Sequence, residues 1–569
     1  MKTLFKNKTA VNLFLFCMTF GLLYFLIQWV TQEIQYPVSW KSTAEGSLAV
    51  SLIMILLKMG NDKGKKREYK DIEYGSSRWG TEKDRKPYID EDPRKNIILS
   101  QTEFLSMNQE QTHLDCHSFI IGATASGKSR FYALPNIMQM NASYVITDPN
   151  GSLLWNTGKM LEGHGYKVKV FDVEHMENSL RFNPFHYCKE PEDIMRFVKI
   201  LIANTNGGVQ KGVTDANFWD NCENLWFLAH IAYIQETCLE EEKNMNSLIL
   251  LLDHSKTKEE DEDYKSAVDV LFDDLEQENP NSFAVRQYKK FKLGAGKSMK
   301  SILLSVAVRL TPFDIPKVAD LLSEDEMELE KAGNEKTALF ILVSDTDTTF
   351  DFIVAILLDV MCKLLSKEAD DSPEKHLKIP VRFILDEIAN IGAFPDLDRM
   401  VSVLRKRWVS IEMLFQNLGQ LKALYKDKWE TIISNCASVL FLGGSGEITT
   451  RYISHSLLGK ATIDTVSYGG GGTAGSLGKN SYNSNEQKNG RYLMDETELA
   501  HLDRSECITN IRGAAPFKGK KYDPKMHPNY KYLAEADSRS AYRLHNRGFS
   551  LQNPENYYVT VSLQEEKQP

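Results

Sequence analysis

Gly122-Ala123-Thr124-Ala125-Ser126-Gly127-Lys128-Ser129 follows directly on the apolar run Ser118 to Ile121. Glycines at the first and sixth positions ahead of a Lys-Ser pair suit one chemistry. Backbone N–H groups curl round phosphate oxygens, the lysine reaches the β- and γ-phosphates, and the serine hydroxyl ligates Mg2+. A helix beginning near Gly127 adds the positive end of its dipole. The expected cofactors are ATP and Mg2+, with Gly122, Ala123, Thr124, Ala125, Ser126, Gly127, Lys128 and Ser129 as the binding loop. A second Gly-Lys-Ser at Gly296 to Ser298 has Phe291 where the first glycine would stand and no apolar strand before it. It reads as the start of a helix from Ser298 to Leu310.

The loop needs a carboxylate at the end of another apolar strand, and Val381-Arg382-Phe383-Ile384-Leu385-Asp386-Glu387 supplies one. Asp386 is placed to hold the magnesium shell, together with Ser129. Glu387 is placed to polarise an attacking water, so the pair suits hydrolysis better than transfer to a metabolite. Gln416 ends the apolar run that begins at Val409; it either senses the γ-phosphate or faces solvent.

Short apolar or β-branched runs at Ala142 to Thr147, Lys167 to Phe171, Thr337 to Val343, Val409 to Gln416 and Ser438 to Leu442 alternate with helical stretches such as Phe350 to Leu365. Such runs read as buried parallel strands, and the fold class is α/β, doubly wound, with nucleotide at the carboxyl ends of the strands. Pro135 should kink or end the helix after the loop, since an interior proline costs ~3 kcal/mol. The alternation stops after Asn183, and an all-α insertion is expected at 191–290, between nucleotide-domain parts at 71–190 and 291–516. It carries the acidic run Glu259 to Asp263, either a solvated segment or a docking surface for a basic partner. A Gly/Ser/Asn-rich stretch from Gly469 reads as a mobile loop.

The net charge of −9 over 569 residues excludes a protein coated in positive charge, so nucleic acid would have to meet a local basic surface. Eight scattered cysteines indicate neither a zinc module nor a disulfide framework and fit a reducing cytoplasm. Val11 to Val30 carries no charge, and about 20 such residues span a ~30 Å hydrocarbon core. A signal peptide is the rival reading, but no small-residue cleavage site follows closely. Gly46 to Leu57 extends to a second span if its helix starts near Trp40. Lys2, Lys6 and Lys8 precede the first stretch and Lys58 to Arg67 holds five basic residues after the second, with Lys41 alone between them. Residues 1–70 are thus expected to be a two-helix anchor in the cell membrane, with both ends cytoplasmic.

With these motifs the chain resembles the type IV secretion coupling proteins, the hexameric ATPases of bacterial conjugation, especially those of Gram-positive mobile elements. The resemblance takes in the phosphate loop, Tyr144 to Gly151, Phe182-Asn183-Pro184, Phe218-Trp219, Leu385 to Gly392 and Gln416 to Leu421. It continues through Asn435-Cys436, Tyr452-Ile453-Ser454, Leu458-Gly459, Lys521 to Pro524 and His527 to Tyr530. It implies a RecA-like motor domain with an all-α cap, a homohexamer round a channel, and ATP-driven movement of relaxase-bound single-stranded DNA to type IV secretion channel proteins in the membrane. It also implies Lys128, Glu387 and Gln416 as catalytic, and Arg405 as a finger reaching the neighbouring subunit's γ-phosphate, with Arg399, Arg407 and Arg451 as competitors.

Two departures stand out. Asn150 occupies a usual lysine position, and Ala125 a usual glycine, which costs ~1 kcal/mol or more if φ is positive there. The segment 517–569 is expected to be a C-terminal arm. Within it Lys518 to Tyr532 either binds single strands or packs on the motor domain. Rival functions are a septal-type double-stranded DNA translocase, a protein-only secretion ATPase and a non-catalytic substrate receptor.

Overall fold

A computed structural model describes residues 8–34, 38–63, 71–205, 213–255, 264–293, 296–344, 346–347, 349–392, 394, 396–470 and 482–544. The acidic run 259–263 and residues 471–481 of the glycine-rich stretch lie outside them. The chain divides into two units, residues 1–76 with 461–490, and residues 77–460 with 491–569.

In the first unit, helices Lys8–Glu33 and Trp40–Lys63 occupy the two apolar stretches. Gln28 Nε2 donates to Thr43 Oγ1 across them at 3.2 Å. Among the described residues no helix is long and apolar enough to cross a membrane; the side chains of residues 8–15 and 55–63 are not among those described. The unit also holds most of a two-stranded sheet, Lys460–Gly470 with Tyr482–Tyr492.

The second unit is built on a nine-stranded mixed sheet. Its strands are β1 (Ser118–Ile121), β2 (Ser143–Asp148), β3 (Lys167–Asp172), β4 (Thr337–Leu342), β5 (Val381–Leu385), β6 (Val409–Phe415), β7 (Ser438–Phe441), β8 (Glu506–Ile511) and β9 (Phe517–Lys520). Their order is β9-β8-β7-β1-β6-β5-β2-β4-β3. Strands β1 to β7 run parallel, while β8 pairs antiparallel with both β7 and β9. Both faces are covered along most of the parallel strands, which is why they read as largely apolar runs; β3, at the sheet's edge, keeps Lys167 exposed. Phe119 and Ile121 enter one core and Ile120 the other, as the period of two in a strand requires.

Between β3 and β4 the chain is helical, from Pro191–Asn204 to Pro316–Leu321. His230 is fully buried there, with its ring 4.0 Å from that of Trp226 and Nδ1 2.7 Å from the Trp226 carbonyl. Burial lowers its pKa to about 3. The unfolded chain takes up this proton near pH 6.5 and the folded chain only near 3, so the stability His230 contributes is present above about 6.5 and lost as pH falls toward 3. His230→Phe is expected to lose about 3 kcal/mol less than wild type between pH 7 and 4, read from denaturant midpoints.

Pro135 is accommodated without a break. Helical backbone runs through it: the turn Ser129–Ala133 is π-helical, Leu134–Met138 is α-helical, and Ala133 and Leu134 between them are both in the right-handed helical region, so the departure from α geometry falls in the turn just before the proline.

Candidate nucleotide-binding site

Strand register brings the predicted groups to one edge. Ile121 of β1 pairs with Phe415 of β6, and Leu385 of β5 with Met413 of β6. Gly122, Asp386 and Gln416 therefore all leave the sheet at its carboxyl edge. Gly122 N donates to the Phe415 carbonyl at 3.0 Å and Ala123 N to that of Gly443 at 3.0 Å, which anchors the loop between β6 and β7.

The loop is a tight cradle. A Cβ on Gly122 would lie 2.2 Å from Ser126 Oγ, and one on Gly127 (φ +84°) 2.4 Å from the Phe131 ring. Ala125 sits at φ 62°, the left-handed region that costs an L-residue about 1–2 kcal/mol. Ala125→Gly is thus expected to raise stability by about 1 kcal/mol, checked by thermal melting without nucleotide.

Lys128 is buried, and its Nζ donates to the Gly122 carbonyl at 3.0 Å. Ser129 Oγ donates to Asp386 Oδ2, a hydrogen bond that joins the loop to the end of β5. Asp386 is itself buried, its Oδ1 without a hydrogen-bond partner among the described residues, and burial raises its pKa. A buried carboxylate oxygen without a partner beside a serine hydroxyl fits a divalent cation, which would supply the missing positive charge. Thr147 Oγ1 at the end of β2 donates to the Asp386 carbonyl at 2.8 Å and fixes that turn.

Glu387 sits at φ 50°. Gln416 Nε2 reaches its Oε1 at 3.2 Å and Asn390 Nδ2 its Oε2 at 3.3 Å. Gln416 is half-buried and tied to Glu387, so the solvent-facing alternative does not describe it. The structure therefore gathers Gly122 to Ser129, Asp386, Glu387 and Gln416.

Arg405 is not among them. It precedes β6 at the opposite, amino-terminal edge, where Nη2 donates to the His113 carbonyl at 2.9 Å. Arg407 pairs with Asp370 at 2.7 Å, and Arg399 is exposed on helix Leu397–Val403. Arg451 is exposed on helix Glu447–Tyr452, which follows β7 on the carboxyl edge. Asn150 is exposed just beyond β2.

Sequence reasoning gave Asp148 no role. It ends β2 at 1% exposure, accepts from Leu154 N at 2.8 Å, and burial, with the Asp386 charge nearby, pushes its pKa up to about 6. A carboxylate ending a buried parallel strand was the available signal. Lys521 was also missed; its only signal was a family-like string far along the chain. The stretch Lys518 to Tyr532 packs on the sheet and the helix after the loop, with Asn529 Nδ2 donating to the Met138 carbonyl at 2.8 Å.

A family model described as type IV secretory system conjugative DNA transfer matches residues 81–524. The probable conjugal transfer protein TraG of Sinorhizobium fredii (strain NBRC 101917 / NGR234) is 20% identical over 411 residues, 71% of this chain. The chain spans 61% of that relative's length. Among solved structures, the unbound bacterial conjugative coupling protein TrwB is 15% identical with a TM-score of 0.55, over 79% of this chain and 93% of the other. The plasmid coupling protein TrwB in complex with a non-hydrolysable ATP analogue matches at 15% identity and TM-score 0.55, over 80% and 96%. The same protein with ADP and Mg2+ matches at 15% and 0.53, over 79% and 94%. At such identities the likeness is one of fold.

Proposed function

Since the chain belongs to the type IV secretory system conjugative DNA transfer family, as a type IV coupling protein, we propose that it is a membrane-anchored ATPase driving or gating passage of relaxase-bound single-stranded DNA into a secretion channel. The observation that carries the ATPase reading is the Ser129–Asp386 hydrogen bond with Asp386 Oδ1 left unpartnered. It puts a metal-ligating hydroxyl and carboxylate together beside a glycine cradle and a buried lysine.

In this reading, loop N–H groups and Lys128 bind and orient the phosphates, while Ser129 and Asp386 hold Mg2+. The cation would neutralise charge on the transferring phosphoryl group. Glu387 accepts the proton of the attacking water, and Gln416, hydrogen-bonded to Glu387 Oε1, aligns that carboxylate. Arg405 lies away from its own chain's loop, as a residue acting on a neighbour's nucleotide would, and a homohexamer supplies that neighbour. Helices Lys8–Glu33 and Trp40–Lys63 would be the anchor. TrwB structures containing an ATP analogue, and ADP with Mg2+, support the choice of cofactors.

The test is ATP turnover by the full-length protein with no DNA, single-stranded DNA or duplex DNA. Stimulation by single strands is expected. A preference for duplex would favour a septal-type pump, and indifference to DNA a protein-only secretion ATPase. Arg405→Ala and Lys128→Ala subunits, each inactive alone, should partly rescue one another when mixed; no rescue would remove Arg405 from the shared site.

A further inference from the structure

Lys521 follows β9 at the start of the C-terminal arm, 395 residues from the phosphate loop in sequence, yet its Nζ donates to the Ser126 carbonyl at 3.0 Å. The side chain is 6% exposed and its ammonium lies 5.6 Å from the centre of the Phe131 ring. Among the described residues no carboxylate is in ion-pair range of it. A buried ammonium with no ion-pair partner is costly; Asp503 acts on it only from beyond that range, and its hydrogen bond goes to the carbonyl of a loop whose N–H groups, on the nucleotide reading, would face phosphate. Ser126 Oγ, also buried, has no hydrogen-bond partner among the described residues.

The arm then runs along the segment that follows the loop. His527 Nε2 meets Gln139 Oε1 at 3.1 Å, and Glu535 pairs with Arg130 at 3.0 Å, one residue beyond Ser129. Anything that settles the loop therefore also settles the arm.

We propose that Lys521 is a positioning residue of the nucleotide site. It braces the phosphate loop through the Ser126 carbonyl and lends it a second buried positive charge, whose counterion is the bound polyphosphate. This rests on the nucleotide reading of the loop. By linkage, nucleotide binding favours the docked arm and the docked arm favours nucleotide. Burial lowers the Lys521 pKa, as expected of an ammonium whose counterion arrives with a ligand.

The test uses the full-length chain with a fluorescent ATP analogue and Mg2+. Lys521→Met should weaken binding about tenfold, the scale of a lost hydrogen bond to a charged group. Its melting temperature without nucleotide should not fall, since an unpaired buried charge has been removed, and Lys521→Arg should restore most of the affinity. Nucleotide should protect the arm from trypsin in wild type but not in Lys521→Met. Unchanged affinity in Lys521→Met would overturn the proposal, as would affinity and melting temperature falling together without rescue by Lys521→Arg. If wild type binds no nucleotide, or Lys128→Ala binds as wild type does, the nucleotide reading itself fails and this proposal with it.

Discussion

Glu387→Gln is expected to lower ATP turnover by about 10²–10⁴-fold, the range for loss of a general base, while nucleotide affinity stays near wild type. The substitution preserves shape and removes only the ability to take a proton. The loop, Lys128 and Ser129 are untouched, and Gln416 and Asn390, which hold the two carboxylate oxygens at 3.2 and 3.3 Å, can bond an amide in part. Single-turnover assays and equilibrium titration would separate the two quantities. In cells, DNA transfer should be lost along with turnover. Intact transfer would favour the receptor reading, in which nucleotide only stabilises the fold.

A second large effect is expected far from the reacting atoms. Arg382 of β5 and Glu412 of β6 are both fully buried, with Nε to Oε1 at 2.6 Å and Nη2 to Oε2 at 2.9 Å. Asn136 and Asn141 accept two further guanidinium bonds at 3.0 and 3.1 Å, and Tyr132, on the turn after the phosphate loop, donates to Glu412 at 2.9 Å. The group thus ties the loop's own helix to the strand that presents Asp386. Arg382→Met leaves Glu412 charged and buried with Tyr132 alone, and should cost about 3–5 kcal/mol of stability, read from denaturant unfolding. Arg382→Met with Glu412→Leu should recover much of that loss, because no lone charge remains. A double variant as unstable as the single would mean the pair acts through shape and not charge.

Much of this was readable from the chain alone, for physical reasons. Most of the seven parallel strands are buried on both faces, so they appear as largely apolar runs, and the loop and Asp386 follow two of those runs directly. Strands β8 and β9 carry no strong local pattern: Glu506–Ile511 mixes polar with apolar residues, and Phe517–Lys520, the edge strand, carries two lysines. The Arg382–Glu412 pair was invisible because a charge inside an apolar strand does not announce its partner on the next one. Lys521 is the extreme case, since only the antiparallel return of β9 brings it to Ser126. Ala125 was legible as an oddity, and the positive φ then gave it a cost. For Gln416 a strand-end position alone fits both a site-facing and a solvent-facing side chain, and only its contact with Glu387 separates them.

The most direct test of the central claim is a structure of this chain with a non-hydrolysable ATP analogue and Mg2+. Mg2+ is expected on Ser129 Oγ at about 2.1 Å, with Asp386 in the metal's shell through Oδ1 or a water and Lys128 Nζ moved from the Gly122 carbonyl to the β- and γ-oxygens. Nucleotide bound elsewhere, or bound with Asp386 still hydrogen-bonded only to Ser129 and no metal between them, would contradict it.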